Sequence, residues 1–172
     1  MSDRFAGRSI HGAPHHARIF AGDPVLTIDG EVHHRADLTV ADLAEIERKS
    51  IHDLIPDSER SSWPDKNWTG VPLSALVKFA RPTSEANWIQ VLGGPMASVL
   101  PLADADQALL CDRDGGEPIS LEHGGPYRLI YPKTTYNLCV KWVDRILVTV
   151  DEPDRSAERV AIARQRARDA KA

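Results

Sequence analysis

Cysteine is scarce: it occurs twice in 172 residues, at Cys111 and Cys139. That excludes a disulfide framework and a paired CxxC metal knuckle. Both cysteines adjoin apolar residues and read as small buried hydrophobes. No apolar run is long enough to span a bilayer, and the N-terminal MSDRFAGRSIHGAPHHAR lacks the apolar stretch of a secretory signal. With an initiating Met, this leads to the expectation of a cytoplasmic protein. There is no surplus of positive charge either. A net charge of −4 and a pI near 6.0 argue against a general nucleic-acid binder while leaving room for a local basic pocket. Gly-x-Gly-x-x-Gly and Walker loops are missing, which speaks against a doubly wound nucleotide fold. No Gly-x-Ser-x-Gly elbow supports nucleophilic catalysis, and internal repeats are absent.

What remains is an ordinary soluble composition, 42% hydrophobic and 27% charged, long enough to bury one substantial core. Residues 1–24 have no period and read as an irregular arm. Residues 25–150 carry the patterned elements, and residues 151–172 alternate in charge and read as a solvated helical tail with a narrow stripe of Val160 and Ile162. Within the domain, Pro24 to Val32 alternates across Asp29-Gly30 and predicts a two-residue hairpin. Thr39 and Asp42 predict a capping box for a helix with Val40, Leu43, Ala44 and Ile46 on its apolar face. LSALVKFA predicts a second helix with Leu73, Leu76, Val77 and Phe79 inward. Strands are expected at Trp88–Leu92, Ser98–Leu102, Tyr127–Tyr131 and Leu138–Val150, with turns at Gly93-Gly94-Pro95 and at RDGGEP. Short strands, few helices and frequent Gly/Pro turns indicate an α+β domain with a mixed β-sheet or barrel-like core and short helices.

Seven histidines invite a metal reading. Their spacing does not build one, because His11 and His15 lie on an arm without helical order and His33-His34 points to both sides of a strand end. More informative is a set of polar groups placed among apolar neighbours: His123, Arg128 and Lys141. A guanidinium fork, an ammonium and an imidazole beside a Gly-Gly turn suit an anion. The same cations also suit ion pairs with Glu122 or Asp144 on a sheet surface, and spacing alone leaves both readings standing.

Ordered landmarks run from Leu26 to about Val150: LTIDGEV, LTVADL, NWTGVPLSALVKFA, GEPISLEHGGPYRLIYP and VKWVDRI. In these the chain resembles the sulfite oxidase-type molybdopterin-binding domain family. The resemblance implies an α+β fold of that type and a molybdopterin (molybdenum cofactor) held by polar residues of the C-terminal stretch. Carried over by motif, His123, Arg128 and Lys141 match cofactor-binding positions. Cys139 stands where a small polar residue meets the cofactor, Gly93 falls near a pterin-contacting loop, and His11 matches a histidine of the N-terminal arm. The family's molybdenum-ligating cysteine has no counterpart between Glu45 and Trp68, where His52, Asp53, Asp57 and Ser58 stand instead. A thiolate suits molybdenum better than these groups, although Ser or Asp oxygen binds the oxidised metal. Asp112 occupies the place of a tyrosine carried by sulfite-oxidising members. The expectation is therefore an atypical oxidoreductase-like domain that holds the pterin, with no catalytic residue or metal ligand assigned. Its alternative is a non-catalytic module of the same fold that binds another anionic ligand, or a protein partner through the tail. Neither a nucleic acid nor a membrane is expected as a partner.

Overall fold

The first strand, β1 (Leu26–Gly30), pairs in parallel with the last, β10 (Val143–Thr149), so the two ends of the domain meet in the middle of one sheet. The computed structural model describes residues 22–52, 67–132 and 138–155, with Arg159, Ile162, Ala163, Arg166 and Ala170 of the tail. Between the outer elements come β2 (Ala36–Leu38), α1 (Val40–Ala44), β3 (Lys49–His52), β4 (Asn67–Pro72), α2 (Leu73–Ala80), β5 (Trp88–Gly93) and β6 (Met96–Pro101). A 3-10 turn at Leu102–Gln107, β7 (Leu109–Asp114), β8 (Glu117–Pro118) and β9 (Arg128–Ile130) follow. Among the described residues these strands form two open sheets, ordered β2-β1-β10-β5-β6 and β3-β4-β7-β8, with β9 beside β7. The mixed-sheet expectation holds and its barrel-like variant does not, because neither sheet closes on itself.

Burial explains why these residues form these elements. Leu26 and Ile28, Ile89 and Val91, and Ile146 and Val148 alternate onto one sheet face and meet α2 in the main core. Helix α2 follows β4 directly: Pro72 is its N-cap, and Leu73, Leu76, Val77 and Ala80 are buried. Phe79, expected on that face, is 49% exposed because the helical period sends Ala80 inward instead. Helix α1 has the predicted capping box, with the Thr39 side chain accepting from the Asp42 amide and the Asp42 carboxylate accepting from the Thr39 amide. It lasts only five residues, so Leu43 is buried while Val40 and Ala44 face solvent.

Other expectations shift. The two-residue hairpin at Asp29-Gly30 is not formed; β1 runs through Gly30 and the chain reverses over residues 31–35 to pair Leu26 with Leu38. Gly30 is needed for a different reason. It pairs with Val148 at φ 95°, and a β-carbon there would collide with the Val148 backbone and approach Leu147 to 2.8 Å. The hairpins at Gly94-Pro95 and Gly115-Gly116 form as expected, the second with φ of 58° and 85° at its two glycines. Edge strand β3 was hidden by its polar, mostly exposed residues. The strand expected from Leu138 begins only at Val143. Ile162 of the tail is 46% exposed, while Val160 lies outside the described residues. Among the described residues no helix is long and apolar enough to cross a membrane.

Candidate pterin site

A second, smaller apolar cluster positions the stretch that the sequence singles out. In the antiparallel pairing of β9 with β7, Arg128 lies opposite Cys111 and Ile130 opposite Leu109, so all four share one face. That face packs with Trp68, Ile119 and Cys139. Arg128 is only 1% exposed. Burying a guanidinium costs several kcal/mol unless it is met by acceptors or a π face. Here Nη1 donates to the His123 carbonyl at 2.8 Å, and the guanidinium lies 5.6 Å from the centre of the Trp68 ring.

The turn it holds is unusual in that four consecutive carbonyls are all engaged. Leu121 accepts from the Trp142 indole at 2.7 Å, Glu122 from Lys141 Nζ at 2.8 Å, His123 from Arg128, and Gly124 from the Trp142 amide at 2.9 Å. The amides of His123, Gly124 and Gly125 fold back onto the Ser120 and Leu121 carbonyls. His123 is exposed, and its Nδ1 shares a 2.7 Å hydrogen bond with the Ser120 hydroxyl. Lys141 is half-buried, with the Trp142 ring 5.6 Å from its ammonium. Two glycines close on it. A β-carbon at Gly124 would lie 2.6 Å from Lys141 Cγ, and one at Gly93 would fall inside contact distance of the Lys141 carbonyl oxygen.

Of the residues singled out in the sequence, Arg128 meets the His123 carbonyl, Lys141 meets the neighbouring Glu122 carbonyl, and Gly93 packs on the Lys141 backbone. Cys139 belongs to the apolar cluster behind them and is 2% exposed. His11 lies outside the described residues, as do Asp53, Asp57 and Ser58. Sequence reasoning missed Trp68 and Trp142, the aromatic faces under the two cations. Their signal was an Arg and a Lys in otherwise apolar surroundings, which need a π face or carbonyls to be buried at all.

Neighbouring groups shape the site's electrostatics. Burial, followed by the Asp112 charge, pushes the Cys111 thiol far above its ordinary range. Asp112 in turn pairs with Arg48. Tyr127 is also raised, first by burial and then by Asp112. Among the described residues no group of three His, Cys, Asp or Glu side chains could hold a metal ion. A groove of about 490 Å³ elsewhere, along β1, includes Asp29, Arg35 and Arg145 in its lining. Its charges are already matched, Arg145 to Asp29 and Arg35 to Asp37, so it does not compete as the anion site.

The comparisons with known proteins concern the domain as a whole. The model of the oxidoreductase molybdopterin binding domain matches residues 15–157. The chain belongs to that family. It is 24% identical to the nitrate reductase [NADPH] of Beauveria bassiana over 157 residues, 74% of this chain and 18% of the relative. To the nitrate reductase [NADH] 2 of Nicotiana tabacum it is 30% identical over 103 residues, 51% of this chain and 11% of the relative. It therefore spans less than a fifth of the length of these relatives. In fold it matches the crystal structure of the sulfane dehydrogenase SoxCD from Paracoccus pantotrophus, with a TM-score of 0.67 and 24% identity, over 79% of this chain and 40% of that one. The sulfite oxidase-type α+β fold and a molybdopterin cofactor follow from family membership. The exposed His123 imidazole and the half-buried Lys141 ammonium fit the anionic end of that group, with the buried Arg128 bonded to the His123 carbonyl. This donor set does not include a thiolate for the metal.

Proposed function

We propose that this domain is an atypical molybdopterin-binding member that holds the pterin through its C-terminal strands and does not oxidise sulfite. In this reading Lys141 and His123 bind the cofactor's phosphate and pterin directly. Arg128 adds its charge from below, and Gly93 leaves room for the backbone that carries Lys141. When bound, molybdopterin supplies the molybdenum-carrying redox centre. One observation carries the doubt about turnover: the chain has two cysteines, and both are buried, Cys111 at 0% and Cys139 at 2% exposure. Burial also raises the Cys111 thiol, which makes it a poor nucleophile, and neither cysteine lies between Glu45 and Trp68.

The test is cofactor extraction with elemental analysis on the full chain produced in a molybdopterin-competent host, followed by a sulfite-dependent electron-acceptor assay. Bound pterin, recovered as its fluorescent oxidation product, without sulfite turnover is the expected result. Sulfite turnover dependent on bound molybdenum would defeat the atypical reading, and a folded protein without pterin would defeat cofactor binding. The second of those outcomes would favour a non-catalytic module for another anion or a protein partner. Ile162, exposed on the tail with Arg159 and Arg166 nearby in sequence, supports that partner reading.

A further inference from the structure

Trp142 has a backbone conformation that its residue type rarely adopts. Its φ is 56°, in the left-handed region that non-glycine side chains avoid. It is 8% exposed and lies outside the two apolar clusters, so its polar contacts distinguish it from the other buried aromatics. Its contacts are polar and specific. The amide donates to the Gly124 carbonyl at 2.9 Å, the indole N–H to the Leu121 carbonyl at 2.7 Å, and the ring faces the Lys141 ammonium at 5.6 Å. An extended residue at this position would continue β10 and direct its amide to a neighbouring strand. The left-handed turn directs it to Gly124 instead. Backbone strain of this kind persists only where the surroundings over-determine it, and it concentrates at ligand clamps.

The geometry points to Trp142 as the positioning residue of the pterin site. It acts through Lys141 and His123. One bond from the indole and one from the amide pin the turn at both Leu121 and Gly124, on either side of His123. The ring and the Glu122 carbonyl hold the Lys141 ammonium from two sides. The Lys141 ammonium and the turn that carries His123 are thereby ordered before any ligand arrives, which lowers the ordering cost of binding. This rests on the reading that the stretch holds the anionic end of molybdopterin.

Two substitutions and a control test it in the full chain. Trp142→Phe keeps a ring near Lys141 but removes the donor to Leu121. Trp142→Gly keeps the left-handed backbone and removes the ring. Trp88→Phe is the control, altering a half-buried tryptophan whose ring lies 5.9 Å from Arg155. In ligand-free protein, Trp142→Phe is expected to speed amide exchange at His123, Gly124 and Gly125 by about tenfold, the worth of one hydrogen bond. Exchange in β5 should stay unchanged. In protein purified with its cofactor, both Trp142 variants should retain several-fold less pterin, and Trp88→Phe should match the parent. The inference is overturned if the three turn amides exchange at the parent rate in Trp142→Phe. Uniform acceleration across β5 and the turn would overturn it too, since that reports general loss of stability. Should the parent chain carry no pterin, the function proposed above falls, while the exchange measurement still decides the role of Trp142.

Discussion

Replacing Gly93 by alanine inserts one methyl group at the junction between β5 and the Lys141–Trp142 turn. Gly93 does not have a positive φ, so alanine suits its backbone and the whole effect is steric. An added β-carbon would lie far inside contact distance of the Lys141 carbonyl oxygen and 2.9 Å from both the carbonyl carbon and the oxygen of Trp142. All three are backbone atoms and cannot rotate away. Overpacking of this kind costs about 1–3 kcal/mol, and the reduced freedom of the unfolded chain returns about 0.4–1 kcal/mol. Because the clash is with backbone at a strand junction, a net loss near the upper end, about 2 kcal/mol, is expected. For a domain of this size that lowers Tm by about 4–8 °C. Urea titration and calorimetry measure it directly. Gly115→Ala is the comparison: nothing lies within 4 Å of its β-carbon, and only the φ of 58° opposes it, at about 1 kcal/mol. The displaced Lys141 should also reduce pterin retention in Gly93→Ala and not in Gly115→Ala. If Gly93→Ala loses less than about 0.5 kcal/mol, the ordinary scatter of surface changes, the close approach of Gly93 to Lys141 is wrong.

Further expectations follow from buried and charged groups. Native protein should show no fast-reacting thiol towards a disulfide reagent, and two on unfolding, because Cys111 and Cys139 are buried and burial raises the Cys111 thiol; one rapidly modified native cysteine would contradict it. Tyr131, pushed up to about 12 by burial and by its bond to Asp104, should ionise late in a titration followed at 295 nm. Its folded pKa lies above the unfolded value of about 10, so its contribution to stability is present below that value and is lost as pH rises towards 12. Tyr131→Phe should lower the amplitude of late ionisation by one tyrosine, Tyr127 being raised as well, and an unchanged late amplitude would refute the assignment. At the acid end, Asp37, Asp42 and Asp106 are held low, chiefly by Arg35, by the Thr39 amide and by Lys49 respectively. The unfolded chain takes up these protons first, so their stabilisation is present above about pH 4 and disappears as pH falls further. The urea midpoint should therefore decline between pH 5 and pH 2, and a flat midpoint would count against it.

Local rules were legible wherever one residue or one turn decides the outcome. Thr39 and Asp42 close a capping box within four residues, and Gly115-Gly116 takes up the positive φ values of a two-residue hairpin. The grouping of His123, Arg128 and Lys141 with glycines was visible as a pattern, but spacing alone left an anion site and surface ion pairs both open. Elements whose identity depends on remote partners were misjudged. Asp29-Gly30 looked like a hairpin turn because glycine at a strand end usually signals one. Here the glycine answers instead to Val148, brought alongside by parallel pairing. Residues 138–142 looked like strand because they are apolar, but Trp142 turns left-handed to reach Leu121 and Gly124.

By itself, then, the sequence determined composition, the α1 cap and the Gly115-Gly116 turn, the family, and the absence of cysteine between Glu45 and Trp68. These are properties of single residues or of short contiguous patterns. Only the tertiary structure decided what the two cations of the site touch. Arg128 and Lys141 each rest on an aromatic ring and a carbonyl of the same turn, and Gly93 closes on Lys141 from β5, nearly fifty residues away. Such contacts form when loop closure brings distant segments together, and a buried charge then takes whichever acceptors the packed surroundings provide. No periodicity in the chain encodes that choice.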